Sequence, residues 1–268
     1  MFLGGYQPEG GIAAPESREY LMSEQGLRRA CEEGIILEAV AVRCDLSFRL
    51  TVDLHCMNGY IEREDVQFSP TGEPVRDIAV ITRVGKAVCF RVTGFFTENG
   101  KTAARLSRRE AQRECAEKYL AALEPGDIID AKVTHLENFG AFVDIGCGIV
   151  SLLSIDCISV SRISHPSDRF RAGDRIKVVV KSIDRENGRI FVTHKELLGT
   201  WEQNAALFSP GQTVTGTVRS IEDYGIFVEL TPNLAGLAEY RDGITVGQTA
   251  AVYIKNIIPE RMKLKLVI

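Results

Sequence analysis

One strand pattern occurs three times in this chain, and it constrains the fold more than any other feature. The segment Asn138-Phe-Gly-Ala-Phe-Val-Asp-Ile145 recurs downstream as Asp223-Tyr-Gly-Ile-Phe-Val-Glu-Leu230. A weaker copy, Ser47-Phe-Arg-Leu-Thr-Val-Asp-Leu54, lies upstream at a similar interval. Such repetition predicts a chain of repeated small units rather than one large domain.

The residues around each copy follow one order. In the second unit Ile129, Ala131 and Val133 alternate with polar residues, which is typical of a strand with one buried face. The aromatic strand comes next, then a short third strand, a long polar connection and a fourth strand. An Asn187-Gly188 turn predicts the hairpin to a fifth strand. This order predicts a mainly β protein of three tandem five-stranded OB-fold barrels joined by short α-helices.

Helix signals separate the units. Capping boxes at Ser107–Glu110 and Thr193–Glu196 predict helices that begin after the last strands of the first two barrels, and Pro-Gly pairs end both. We interpret these helices as linkers; the alternative is that they are internal helices of one larger domain. Residues 1–14, rich in Gly and Pro, are expected to form a loose tail, and a helix is expected from 15 to 34. The predicted divisions are a tail and helix at 1–33, a degenerate barrel at 34–107, a linker helix at 108–123, a barrel at 124–193, a linker helix at 194–207 and a barrel at 208–268.

Composition limits the functional classes. No apolar run is long enough to span a membrane, the first residues lack a secretion-signal pattern, and the seven cysteines form no CxxC pair. We therefore expect a cytoplasmic protein with reduced thiols. The net charge of −4 excludes a generally basic nucleic-acid binder, so binding must depend on local patches and stacking. No metal-ligand spacing, P-loop or nucleophile elbow occurs. We expect no metal, no cofactor and no enzymatic activity.

Units two and three resemble the S1 RNA-binding domain of ribosomal protein S1 and its bacterial relatives. The resemblance is carried by Pro125-Gly-Asp, the aromatic strand, a later Gly-Asp pair and the closing Gly188-Arg-Ile. It covers residues 124–197 well, residues 208–268 adequately and the first unit only in outline.

The resemblance implies a stacking surface made of two aromatics on the second strand and a histidine on the third, with basic residues around it. The RNA-binding residues implied here are Phe139, Phe142 and Arg189 in unit two, and Tyr224, Phe227 and Lys263 in unit three. The histidine position holds Ser154 and Glu239, and a glutamate there would repel phosphate. Unit one keeps Phe48 but has Thr51 in place of the second aromatic, which favours a structural or protein-contacting role.

Alternation supports the aromatic assignment independently. If Val143 and Ile145 face the core, Phe142 faces outward, and the same pattern exposes Phe227. Exposed aromatics are unfavourable unless they have a partner; the alternative is that a loop covers these rings. Basic residues on outward strand positions and on the long connection are expected to contact phosphates. These are Lys132, Lys177, Lys181, Arg162, Arg169 and Arg171. For any single one of them, ordinary solvated surface is the alternative.

The expected function is single-stranded RNA binding by a monomer, in translation on the ribosome or messenger RNA, or in RNA metabolism. Two alternatives stay open. The acidic charge favours a protein-interaction adaptor whose barrels contact ribosomal or RNA-processing partners. Such barrels also occur fused to ribonucleases, so the chain could instead be an accessory region of an enzyme.

Overall fold

The strands of the computed structural model form three groups that share one order. The structure describes residues 6–11, 15–98, 100–161 and 163–268. In the first and third groups the order is first, second, third, fifth, fourth, and the first strand also pairs with the fourth, which closes the barrel. The second group has the same neighbours, including the first and fourth strands, but no ladder joins its third and fifth strands among the described residues. This is the topology of the OB-fold barrel, and it confirms the predicted fold class. The strands are β1 Ile36–Cys44, β2 Leu50–Asp53, β3 Asn58–Ile61, β4 Ala87–Glu98 and β5 Lys101–Ser107 in barrel 1; β6 Ile128–Glu137, β7 Gly140–Asp144, β8 Val150–Ser154, β9 Arg175–Asp184 and β10 Arg189–Thr193 in barrel 2; and β11 Thr213–Glu222, β12 Gly225–Thr231, β13 Leu234–Ala238, β14 Thr249–Ile258 and β15 Lys263–Val267 in barrel 3.

A glycine turn before the fourth strand shows that barrel 1 is built like the other two. The amide nitrogens of Gly85, Gly173 and Gly247 each donate to the first strand of their own barrel, at 2.7–2.8 Å. All three glycines have positive φ, between 77° and 99°, which other residues rarely adopt. Barrel 1 therefore keeps the glycine turn of the other two barrels, although its sequence matches theirs only in outline.

The described helices are short. They are α1 Pro15–Leu21, α2 Glu24–Glu33, α3 Asp77–Ile81, α4 Arg108–Lys118 and α5 Trp201–Ala205. The predicted cap of α4 is present, since the Ser107 hydroxyl accepts a hydrogen bond from the Glu110 amide at 3.0 Å. Instead of one helix from 15 to 34, there are two, because Ser23 caps α2 and starts a new helix. No helix in the described part of the chain is long and apolar enough to cross a membrane.

The predicted helix at 194–207 is wrong in its start and its continuity. Thr193 ends β10, and its hydroxyl bonds the Glu196 carboxylate instead of a helix amide. A 3-10 turn, Lys195–Leu198, follows and stops at Gly199, which has a φ of 78°. The working capping box is Thr200–Gln203, at the start of α5. Two capping signals lie close together in this segment, and the glycine between them decides which one starts the α-helix.

Residues 6–11 are ordered, contrary to the expected loose tail. They lie between barrel 1, α4 and barrel 2, where the Tyr6 ring stacks on Tyr119 with centroids 5.9 Å apart. The Glu9 carboxylate is buried and forms an ion pair with Arg108 at 2.6 Å. Residues 1–5 and 12–14 of the predicted tail lie outside the described residues. This buried charge pair, together with hydrogen bonds such as those of Tyr6 to Glu114 and of Lys132 to the Glu9 carbonyl, orders a segment whose composition indicates flexibility.

The ion pair between Glu9 and Arg108 joins four parts of the molecule. Arg108, at the start of α4, also donates to the carbonyls of Val66 in barrel 1 and Gly148 in barrel 2, at 2.9 and 3.3 Å. The Glu9 amide donates to the carboxylate of Asp144 on β7 at 2.7 Å. Burial opposes ionisation of Glu9, but the Arg108 charge and its hydrogen bonds outweigh this and lower the pKa of Glu9.

A second buried carboxylate joins barrels 2 and 3. Glu229 on β12 accepts hydrogen bonds from Arg169, in the long connection of barrel 2, and from Arg219 on β11. The Ser161 amide donates to the Pro232 carbonyl across the same interface at 3.2 Å. Arg169, expected to contact phosphates, is therefore buried against the next barrel. Arg162 lies outside the described residues.

We expect Glu9→Ala to lower the free energy of unfolding by about 3–5 kcal/mol, because it leaves the Arg108 guanidinium buried without its counter-charge. Urea denaturation measures the change. The matched control is Glu24→Ala, which removes an exposed ion pair with Arg28 and should cost less than about 1 kcal/mol. Equal losses in the two variants would show that the Glu9 pair does not hold the units together.

Asp144 predicts a pH dependence of stability. Burial, followed by the nearby Glu9 charge, raises the pKa of Asp144 to about 6. Because the folded-state pKa lies above the usual value, the stabilisation is present at low pH and is lost as pH rises toward the folded pKa. Relative to Asp144→Asn, wild type should lose about 2 kcal/mol of stability from about pH 4.5 to about pH 7.5. Urea denaturation across this range checks it, and parallel curves for the two proteins would contradict it.

Candidate nucleic-acid interface

Phe139 and Phe142 form an edge-to-face pair on barrel 2. Their ring centroids lie 6.0 Å apart with planes at 90°, a favoured aromatic geometry. Phe139, in the turn before β7, is 54% exposed, and Phe142 on β7 is half-buried. Among the described residues no loop covers Phe139, so the alternative of a ring buried as satellite core does not hold for it.

The glycine between the aromatics is required by strand packing. A Cβ on Gly140 would lie 2.5 Å from the Leu153 carbonyl oxygen, and one on Gly225 in barrel 3 would lie 2.5 Å from the Ala238 carbonyl oxygen. Both distances are too short for any side chain. The aromatic-glycine pattern therefore serves two purposes: the glycine lets the second strand approach the third, and the rings occupy the outer surface.

His135 belongs to this surface, although sequence reasoning missed it. It lies opposite Phe142 in the β6–β7 register, and the two rings are nearly parallel, with centroids 6.4 Å apart. Continued alternation from Val133 would place residue 135 on the core face. A β-bulge between Val133 and His135 reverses the alternation and exposes the histidine.

Phe191 is a second aromatic that sequence reasoning missed. It is 42% exposed and lies two positions after Arg189 on β10, so both side chains are on the outer face. The Ser151 hydroxyl of β8 donates to the Ile190 carbonyl at 2.6 Å, which brings β10 beside β8. Alternation from Arg189 would have identified Phe191.

Two of the predicted basic residues lie beside β8 or the turn after it, and β8 pairs with the aromatic strand. Arg189 is exposed at the start of β10. The Lys181 ammonium lies 3.4 Å from the Cys157 sulfur, in the turn directly after β8. The Phe139 carbonyl accepts a hydrogen bond from Ile155 in the same turn, at 3.0 Å. Lys181 thus flanks the exposed ring.

The other predicted lysines are engaged elsewhere. The Lys132 ammonium donates to the Glu9 carbonyl at 2.9 Å, so this side chain anchors residues 6–11. Lys177 pairs with Asp130 at 2.9 Å, on β9, which β6 separates from the aromatic strand. The alternating pattern predicted that these lysines face outward from their strands. It did not predict which neighbouring groups would bind them.

Barrel 3 repeats the ring pair without the same surroundings. Tyr224 and Phe227 have centroids 6.2 Å apart with planes at 87°, and Tyr224 is 69% exposed. Lys263 begins the last strand, as Arg189 does in barrel 2. Glu239 is exposed directly after β13, where barrel 2 has Ser154. Barrel 2 has acids near its rings as well, but they are bonded to neighbours: Glu137 to His135 and Asp156 to the Ser154 hydroxyl, at 2.7 and 2.6 Å.

In barrel 1 the contacting aromatic rings lie on β3 and β4 instead of on the second strand. Thr51 is buried and lies opposite Tyr60 of β3 in the register. Tyr60 contacts Phe96 of β4 at 5.8 Å, and the Arg49 guanidinium covers the Tyr60 ring at 4.4 Å. Phe48 is covered in the same way by an arginine. These rings are occupied by guanidinium groups, which fits the expected structural role.

The barrel with the open ring pair is also the one that matches a known family. Residues 122–195 match the S1 RNA binding domain. Barrel 2 is an S1 RNA binding domain by this match. The resemblance seen in the sequence is thereby confirmed, and the S1 match contains the aromatic pair, His135 and Arg189. Among the described residues, no group of His, Cys, Asp or Glu side chains is arranged to hold a metal ion.

Proteins similar to this chain match it over different lengths. The small ribosomal subunit protein bS1 homolog of Bacillus subtilis is 43% identical over 122 residues, 45% of this chain and 32% of the relative. Small ribosomal subunit protein bS1 of Rhodopseudomonas palustris is 33% identical over 192 residues, 70% of this chain and 32% of the relative. A 4-hydroxy-3-methylbut-2-enyl diphosphate reductase of Clostridium acetobutylicum is 30% identical over 199 residues, 68% of this chain and 31% of the relative. The chain spans about a third of the length of these relatives.

Proposed function

We propose that this protein binds single-stranded RNA through the S1 domain of barrel 2. The edge-to-face pair of Phe139 and Phe142 carries the proposal, since Phe139 is exposed and Phe142 is only half-buried. His135 extends this surface on one side. Unpaired bases stack on such a platform, with a gain of about 1–3 kcal/mol per base that hardly depends on base identity.

In the proposed complex, few basic side chains are available to contact phosphates. Arg189 and Lys181 flank the rings, whereas Lys132, Lys177 and Arg169 are engaged within the protein. Each phosphate contact contributes roughly −0.7 to the slope of log affinity against log salt for a single strand. With two cations at the site, the slope should be shallow, and stacking should supply most of the affinity.

We place this activity in translation, on the ribosome or on messenger RNA in the cytoplasm. The support is the similarity to bS1 proteins, named as components of the small ribosomal subunit. Two of the three relatives described above are ribosomal proteins by name, and binding by stacking requires no catalytic group. We therefore propose a non-enzymatic role, in which barrel 2 supplies the main RNA site.

We expect Phe142→Ala to weaken RNA binding by about 10-fold or more, because it removes half of the ring pair. Fluorescence anisotropy with a labelled single-stranded RNA, measured over a salt series, checks the change. The matched control is Tyr253→Ala, which removes an exposed ring on β14 outside both aromatic pairs; its affinity should equal that of wild type.

The same titration tests the alternative. If wild type fails to bind single-stranded RNA at low salt, the proposal fails and the protein-interaction adaptor becomes the better interpretation. Equal affinity for single-stranded RNA, single-stranded DNA and duplex would also contradict it, because duplex bases cannot stack on the rings.

The charge beside the barrel 3 rings gives a further prediction. In the Phe142→Ala background, Glu239→Gln should raise RNA affinity by about 3-fold, the effect of removing one charge about 7 Å from a phosphate in water. Anisotropy at low salt measures it. Glu202→Gln on α5, an exposed acid away from both ring pairs, is the control. If the two glutamine variants bind alike, barrel 3 does not contact RNA.

A further inference from the structure

A cavity of about 590 Å³ lies between barrel 1, α4 and barrel 2. Its size falls within the range of about 300–1,000 Å³ that is usual for small-molecule sites. It lies outside the aromatic surface of barrel 2, and neither the S1 resemblance nor the ring pairs assign it a role.

The walls of this cavity are largely apolar and include one aromatic ring. Phe68 of barrel 1, Leu120 after α4, and Ile149 and Ile190 of barrel 2 line it. The Phe68 amide donates to the Gln112 side-chain oxygen at 2.9 Å, which holds the Phe68 backbone beside α4. Such walls suit a flat, apolar group such as a nucleobase.

Positive charge remains on one side of the cavity. Arg83 and Arg108 both line it, and they share the Glu9 carboxylate, at 3.6 and 2.6 Å. Burial, followed by the Arg108 charge, lowers the pKa of Arg83. Asp144 lies nearby and offsets part of this charge, but its own carboxylate accepts three backbone amides. An anion in the cavity would compensate Arg83.

Two acids, Glu117 and Asp184, also line the cavity, and Asp184 lies opposite Arg189 in the β9–β10 register. Glu117 is exposed to solvent. Both Asp184 oxygens accept hydrogen bonds from Asn187, at 3.1 and 2.8 Å.

The cavity is continuous with the proposed RNA surface. Arg189, the cation implied for that surface, also lines the cavity. Val150 of β8 and Ile190 of β10 line it as well. In barrels 1 and 3 the corresponding strands pair in parallel, but in the described part of barrel 2 no such ladder closes the seam. An RNA strand that crosses β7 and β8 therefore reaches the cavity at Arg189.

We propose that this cavity binds one nucleotide, with the base against Phe68 and the apolar wall and the phosphate between Arg83 and Arg189. As a site for a nucleotide within RNA, this proposal rests on the proposed function of barrel 2. A free nucleoside monophosphate has the same chemistry, and the experiment distinguishes the two sources.

The proposal is tested by a substitution that places a large side chain in the cavity. Ala116 on α4 lines it, and Ala122 in the following 3-10 turn does not. Ala116→Phe should bind a labelled single-stranded RNA of about 12 nucleotides about 10-fold more weakly than wild type, because one base loses its site. Ala122→Phe is the matched control and should bind like wild type. Calorimetry with adenosine and uridine 5′-monophosphates forms the second arm, and thermal unfolding confirms that each variant is folded.

If Ala116→Phe does not fold, crosslinking of RNA to wild type tests the cavity site instead. RNA substituted with 4-thiouridine should crosslink at Phe68 or Gln67 as well as at Phe139. Crosslinks at Phe139 without any in barrel 1 would overturn the cavity site.

The outcomes separate the two proposals. If Phe142→Ala weakens RNA binding and Ala116→Phe does not, the cavity site is overturned and the proposed function stands. If wild type binds no RNA but binds a monophosphate that Ala116→Phe excludes, the cavity takes free nucleotide and the proposed function fails. If neither ligand binds, both proposals fall.

Discussion

The buried ion pair of Glu9 and Arg108 constrains the arrangement of the N-terminal half of the protein. A buried charge is tolerated only when a counter-charge and hydrogen bonds replace its lost hydration. Arg108 meets this requirement with groups from three places: the Glu9 carboxylate, the Val66 carbonyl of barrel 1 and the Gly148 carbonyl of barrel 2. Displacing any of these elements would leave a buried charge or donor without a partner, so barrels 1 and 2 are held in one relative position.

The repeated strand reuses one acidic position for assembly. Asp144 and Glu229 occupy the same place in the two aromatic strands, two residues after the second ring, and both are buried by a neighbouring unit. Asp144 accepts the Glu9 amide, and Glu229 accepts two arginines at the next interface. The equivalent Asp53 in barrel 1 is exposed and bonds only the nearby His55 amide among the described residues. The same strand therefore presents rings to solvent and a carboxylate to an adjoining unit.

Local patterns predicted most of the fold because the determining contacts are close in sequence. Alternation located the core residues Val143 and Val228, and a capping signal located α4. The site was predicted less completely. The rings follow from alternation, but a bulge hides His135 from it. Lys132 and Arg169 satisfy every local rule for phosphate contact, yet their partners come from distant parts of the chain. Alternation within a strand carries no information about such distant partners, so it could not predict these contacts.

This use of cations, together with the net charge of −4, leaves stacking as the main source of affinity for the proposed RNA ligand. The assembly of the barrels engages Lys132 and Arg169, which removes two positive charges from the surface available to RNA. What remains beside Phe139 is a ring platform with two flanking cations. Long-range attraction to a polyanion is then weak, so in the proposed function recognition depends on contact with unpaired bases. Because stacking requires an unpaired base, a site of this kind selects single strands through geometry, whereas a basic domain would also attract duplexes.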